Sequence, residues 1–162
     1  MAEKRKAVYP GSFDPFTNGH LDIVNRALDV VDHLTIAILR NTSKKNLFSP
    51  EERVELIQEV LGDNPRIKVD TFQGLLADYC REHNISIILR GLRAVSDFDY
   101  EHAIYLMNNK LLPDAETVFL MSRSENSFIS SSIVKEVASL GGDISDQVPP
   151  TIFAHLKKIY NQ

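Results

Sequence analysis

Apolar positions along the chain alternate between two periods. Short runs rich in β-branched residues, "KAVY" from Lys6, "HLTIAIL" from His33, "IKVDTF" from Ile67, "SIILR" from Ser86 and "ETVFLM" from Glu116, have the length of strands. Between them the spacing turns helical. Leu21, Val24, Leu28 and Val31 predict a helix over 18–31 with one buried face. Ser49 as cap, Pro50 at the first helical position and Glu52 closing a capping box predict another, with Val54, Ile57 and Leu61 inward and Gly62 as a left-handed stop. Further helices are predicted around "LLADYCREH", from near Asp97 to Leu112 before Pro113, and over "SSSIVKEVASLGG", which ends in paired glycines. A last one, "TIFAHLKKIYNQ", follows Pro149 and Pro150. Strands alternating with helices predict an α/β fold: a parallel five-stranded sheet with helices on both faces and further helices at the C-terminal end.

Composition narrows the function more than the fold. The 162 residues, 43% hydrophobic and 25% charged, suit one domain spanning residues 1–162. A net charge of −4 argues against a dedicated nucleic-acid binder but leaves anionic small molecules open. The single cysteine, Cys80, excludes an internal disulfide and a multi-cysteine zinc site, and its apolar setting reads as core. The basic start at Lys4, Arg5 and Lys6 is followed by no signal-peptide core, and no apolar run reaches the roughly 20 residues of a membrane span. A cytoplasmic protein without membrane partners is expected.

In such sheets ligands bind beyond the carboxyl ends of the strands, where the unusual loops of this chain fall. "YPGSFDPFTNGH" runs from the first strand into a helix start at Thr17, Asn18, Gly19 and His20, where open N–H groups and the helix dipole favour an anion. The plainer alternative is that Asn18 caps the helix and His20 lies on its surface. "RNTSKK" offers Lys44 and Lys45 after the second strand. In "RGLRAVSDFDYE", Arg90 and Arg93 flank Gly91 as a phosphate clamp, or else pair with Asp97, Asp99 or Glu101. "NSFISSSIVKE" places three serines at a helix start, one of them explained by capping. Neither a Walker-type lysine loop nor a dinucleotide glycine fingerprint is present.

Taken together, these motifs carry a resemblance. "FTNGH" resembles the T-x-G-H signature of the HxGH nucleotidyltransferase superfamily, and "ISSS" with Lys135 resembles its second signature. "YPGSFDPFTNGH", "SKK", "RGLRAVSDFDYE" and "FISSSIVKEVA" are similar, in order and spacing, to the motifs of the bacterial phosphopantetheine adenylyltransferases. The resemblance covers nearly the whole chain. It implies a Rossmann-like, homohexameric enzyme that moves the adenylyl group of ATP to 4′-phosphopantetheine with magnesium, giving dephospho-coenzyme A and pyrophosphate. That is the penultimate step of coenzyme A synthesis, and feedback by coenzyme A itself is in keeping with the family. Carried over, it implies His20, Lys44 and Arg93 as catalytic residues. ATP would meet Ser12, Phe13, His20, Gly91, Leu92, Arg93, Glu101, Asn126, Ser127, Phe128, Ile129, Ser130, Ser131 and Ser132. Phosphopantetheine would meet Ser12, Lys44, Leu76 and Arg90. Ser12 stands where threonine is frequent, Asn126 where some members have tryptophan, and Lys135 where the wider signature has arginine.

The residues suit that reaction. A phosphate nucleophile is already an anion near neutral pH, and the motifs contain no triad or carboxylate pair to act as base. Positioning and electrostatic stabilisation at the α-phosphoryl group then carry the rate. Magnesium is expected on the phosphates, with no protein ligands assigned. The same chemistry on nicotinamide mononucleotide or glycerol phosphate, and a non-catalytic nucleotide or coenzyme A sensor, are the rival readings.

Overall fold

The computed structural model describes residues 5–40 and 46–160. Five parallel strands, β1 (Lys6–Gly11), β2 (His33–Leu39), β3 (Ile67–Phe72), β4 (Ile87–Leu92) and β5 (Glu116–Met121), form one sheet in the order β3-β2-β1-β4-β5. The helices are α1 (Asn18–Ala27), α2 (Pro50–Leu61), α3 (Leu76–His83), α4 (Val95–Leu111), α5 (Ser131–Ser139) and α6 (Pro150–Tyr160), with a 3-10 turn over Ser124–Asn126. The α/β, Rossmann-like expectation holds.

Alternation along the strands sorts the core into two layers. Ala7, Tyr9, Leu34, Ile36, Ile38 and Leu89 meet α1, α2, α5 and α6 on one face. Val8, Ala37, Phe72 and Ile88 meet Ala77, Cys80 and Leu112 on the other. Cys80 is fully buried, which pushes its thiol up to about 11 and makes it an inert part of the core.

The sheet opens where chemistry needs room. β1 pairs with β2 along six residues but with β4 only through Ala7↔Ile87 and Val8↔Ile88. Pro10 has no N–H to extend that ladder. Beyond Val8 the carboxyl ends of β1 and β4 therefore separate, at the point where strand order reverses.

Several helices depart from expectation. α1 ends at Ala27, and its buried side chains are Ile23, Val24 and Ala27; Leu21 and Leu28 are only partly covered. On α2 the buried residues are Arg53, Leu56 and Ile57, with Val54 and Leu61 at the margin. α4 starts at Val95 and has no buried residue, so Ile104 and Leu106 do not belong to this chain's core. No described helix is long and apolar enough to cross a membrane.

Candidate active site

At the crevice two adjoining hollows, of about 280 and 90 Å³, share Tyr9, His20, Gly91, Arg93 and Ile129 as walls. The larger adds Ser12, Phe13, Arg90, Glu101, Ser130 and Ser131; the smaller adds Thr17, Gly19 and Asn126. His20 stands at their junction.

Its orientation comes from the start of α1. Thr17, not Asn18, is the N-cap: its hydroxyl accepts the His20 N–H at 3.3 Å, and its own N–H donates to His20 Nδ1 at 3.0 Å. A histidine thus fills the capping-box place normally held by glutamate. Because Nδ1 accepts, the ring proton sits on Nε2. Burial among Phe13 and Phe16, whose ring centroids lie 5.0 and 5.5 Å away, and secondarily the nearby Arg93 charge, together pull the His20 pKa down to about 4. At neutral pH His20 is an uncharged Nε2–H donor.

The first turn of α1 has one open amide. Asn18 N–H donates to the Gln147 carbonyl at 2.9 Å, and the Thr17 and His20 amides are used in the cap. Among the described residues only the Gly19 N–H of this turn has no partner, and Gly19 lines the smaller hollow. A Cβ added there would lie 3.5 Å from Thr17 Oγ1 and 3.8 Å from Asn126, ordinary contact distances. The protein itself does not require glycine at 19; the space it leaves opens into the smaller hollow.

Both arginines are engaged by α4. Arg90 makes a two-pronged pair with Glu101, Nε to Oε2 at 2.5 Å and Nη2 to Oε1 at 2.8 Å, with Nη1 3.5 Å from the Pro10 carbonyl. Arg93 meets Asp97 through Nε at 3.2 Å and through its N–H at 3.0 Å. These are the ion pairs that were the alternative to a phosphate clamp; Glu101 lines the larger hollow with both arginines, whereas Asp97 lines neither.

The serine run divides its labour. Ser130 caps α5 through the Ile133 N–H, Ser131 donates to the Pro15 carbonyl at 2.8 Å, and Ser132 is exposed. The Ser131 and Ser132 amides at this helix start have no partner among the described residues, so backbone donors replace the expected row of hydroxyls. Ser127 donates to the Ser124 carbonyl, Phe128 is exposed, and Leu92 is buried and lines neither hollow. Lys135 is held by Asp14 at 3.0 Å.

Leu76 opens α3 beyond β3 and packs partly on the second core layer, outside both hollows. Lys44 lies outside the described residues. Sequence reasoning missed the Thr17 cap and two buried charged residues, Asp14 and Arg53. Arg53 had a signal: with Leu56, Ile57 and Val60 it falls at helical spacing on the inner face of α2.

A crevice of open amides, two arginines and a neutral histidine, at the switch point of a parallel sheet, is the setting that a nucleotidyltransferase needs. The model of the cytidylyltransferase-like family matches residues 8–137. A solved bifunctional NMN adenylyltransferase/ADP ribose pyrophosphatase from Francisella tularensis superposes with a TM-score of 0.74 at 18% identity, over 99% of this chain and 50% of that one. This chain spans about half the length of that protein, and the likeness is one of fold. The phosphopantetheine adenylyltransferase of Leptospira biflexa is 58% identical over 98% of this chain and 99% of its own. That of Geobacter metallireducens is 51% identical over 98% of each chain. The chain belongs to the phosphopantetheine adenylyltransferases, within the cytidylyltransferase-like family.

Proposed function

We infer that this crevice transfers the adenylyl group of ATP to 4′-phosphopantetheine. An oxygen of the phosphopantetheine phosphate attacks the α-phosphorus of ATP, the bond from that phosphorus to the bridging β-oxygen breaks, and pyrophosphate leaves. The product is dephospho-coenzyme A. The observation that carries the reading is the neutral Nε2–H of His20 at the junction of two hollows lined by arginine and by open amides.

On this reading His20 and the Gly19 amide stabilise charge gathering on the α-phosphoryl oxygens. Arg93 with the amides of Ser131 and Ser132 holds the ATP phosphates, and Ser12, Phe13, Leu92, Asn126, Ser127, Phe128, Ile129 and Ser130 shape its place. Arg90, Ser12, Leu76 and Lys44 receive phosphopantetheine. Glu101 and Asp97 hold the two arginines in position until anionic substrates arrive, which keeps half-buried charge compensated. Because the nucleophile is an anion already, no residue has to remove a proton.

Magnesium enters the proposal as the partner of the ATP phosphates. Asp14, Asp97 and Glu101 are each tied to a basic side chain, and no group of three or more His, Cys, Asp or Glu among the described residues could hold a metal ion. These residues do not form a protein cage for it, in line with the preference of magnesium for phosphate and water ligands.

A homohexamer belongs to the same proposal. It is supported by α4, which leaves Val95, Phe98, Tyr100, Leu106 and Met107 exposed, as is Met121 of the edge strand β5.

The test is pyrophosphate release from ATP and magnesium with phosphopantetheine, nicotinamide mononucleotide, glycerol phosphate or no acceptor. Release with phosphopantetheine alone, lost in His20→Ala, is expected. Release with another acceptor would overturn the substrate, and ATP binding without release would overturn the activity.

A further inference from the structure

Beneath the crevice lies a charged residue that lines neither hollow. Arg53 is 1% exposed, the most buried charged side chain among the described residues. Its Nη1 donates to the Ser12 carbonyl at 2.6 Å and its Nε to the Ser49 carbonyl at 3.3 Å. Its Nη2 is buried and has no hydrogen-bond partner among the described residues. No carboxylate forms an ion pair with it there, although the charge of Asp14 is felt nearby. A buried guanidinium with an unused donor and no direct counter-ion is poorly explained by stability, because an apolar side chain of similar length would fill the space without that penalty.

What Arg53 does hold is a strained piece of backbone. The Ser12 carbonyl immediately precedes Phe13, a non-glycine residue with a φ of 49°. The turn throws the Phe13 ring across Gly11, where a Cβ would come within 2.8 Å of Phe13 Cζ, and edge-on to His20 at 5.0 Å. The other side of the same loop is gripped independently. Asp14 accepts the Leu47 and Phe48 N–H groups at 2.9 Å each, and Ser131 bonds the Pro15 carbonyl.

We propose that Arg53 is a positioning residue for adenylyl transfer: by holding the Ser12 carbonyl it fixes the Phe13 turn, and through the Phe13 ring it fixes His20. This rests on the reading of His20 given above. It assigns a functional reason to a buried charge that packing alone does not supply.

Arg53→Met, with Arg53→Lys as the variant that keeps a donor, tests it in the full chain. Arg53→Met is expected to lower kcat by roughly 10–100-fold, the scale of a small misplacement at a reacting centre. The Michaelis constants, set in part by Ser12 and Phe13 of the same loop, should rise by less than kcat falls, and the melting temperature should hold or rise. Arg53→Lys should recover part of the loss. In a His20→Ala background the same Arg53→Met change should cost less than about twofold, since the residue acts through His20. An unchanged kcat, or an equal loss with and without His20, overturns the proposal. If Arg53→Met does not fold, stability explains the residue and the proposal falls, unless folded Arg53→Lys shows the kcat loss and the same dependence on His20. If His20→Ala alone keeps full activity, the reading of His20 fails first, and this inference with it.

Discussion

The Thr17 amide and the His20 ring close a 3.0 Å hydrogen bond that decides which imidazole nitrogen carries the proton. On the proposed reading, helix capping and active-site chemistry are a single interaction. Replacing His20 with alanine therefore removes the Nε2–H donor and half of the capping box at once. Turnover should fall by about 10²–10³, the cost of losing one donor to a developing oxyanion. Circular dichroism should still report a folded protein, and initial rates of pyrophosphate release give the number.

Acid should expose the burial of His20. Its folded pKa, near 4, lies below the ordinary value of 6.5, so the unfolded chain binds more protons between those limits. The stabilisation is fully present above about pH 6.5 and is lost as pH falls toward 4. The carboxylates whose pKa is lowered, such as Asp97, add their own loss only at the acid end of that range and below. Urea midpoints measured from pH 7 to pH 5 should decline in the parent and stay flatter in His20→Gln. Equal slopes would mean that the imidazole is not desolvated.

Arg90→Ala should raise the Michaelis constant for phosphopantetheine by roughly 10–100-fold, the worth of a charge-assisted contact, with less change for ATP. Arg90→Lys should recover only part, since a point charge cannot reproduce the fork that Glu101 now fills. Steady-state kinetics with each substrate varied in turn decide it. A rise confined to ATP would exchange the roles of the two arginines.

Gly19→Ala makes a sharper distinction between fold and function. The added methyl meets only ordinary contacts, so the melting temperature should stay within a few degrees of the parent. The same methyl sits beside the one open amide of α1, and ATP binding measured by calorimetry should weaken clearly. Unchanged binding would remove that amide from the phosphate site.

Charge placed on α4 should test assembly. Leu106 and Met107 are 54% and 59% exposed, so Leu106→Glu or Met107→Glu burdens no core within the chain. Sedimentation should show the parent well above its 18.3 kDa protomer and the variants shifted toward it. A parent sedimenting at protomer mass would end the hexamer proposal.

Much of this was legible in the residues, and the exceptions have physical causes. The strands were clear because each is a short run of β-branched and other apolar residues, near-continuous in β2 and at the start of β4. The capping box of α2 was written out in Ser49, Pro50 and Glu52. At α1 a preference for asparagine caps pointed to Asn18, whereas Thr17 takes the place because His20 can answer it three residues on. The start of α4 was hidden, since Ala94 caps without a side-chain bond. In the site, local sequence could name Arg90, Arg93 and their acidic neighbours but not decide whether they paired. Arg53 escaped because a charged residue on a helix reads as solvent-facing until tertiary packing encloses it.

A donor that keeps its proton has a consequence for direction. On the proposed reading His20 begins and ends turnover in the same neutral state, bonded to the same Thr17 amide. Nothing in the imidazole records whether the adenylyl group has just arrived or is about to leave. The crevice is then equally prepared for pyrophosphate to attack the product and regenerate ATP, and net flux depends on how fast pyrophosphate is removed outside the protein.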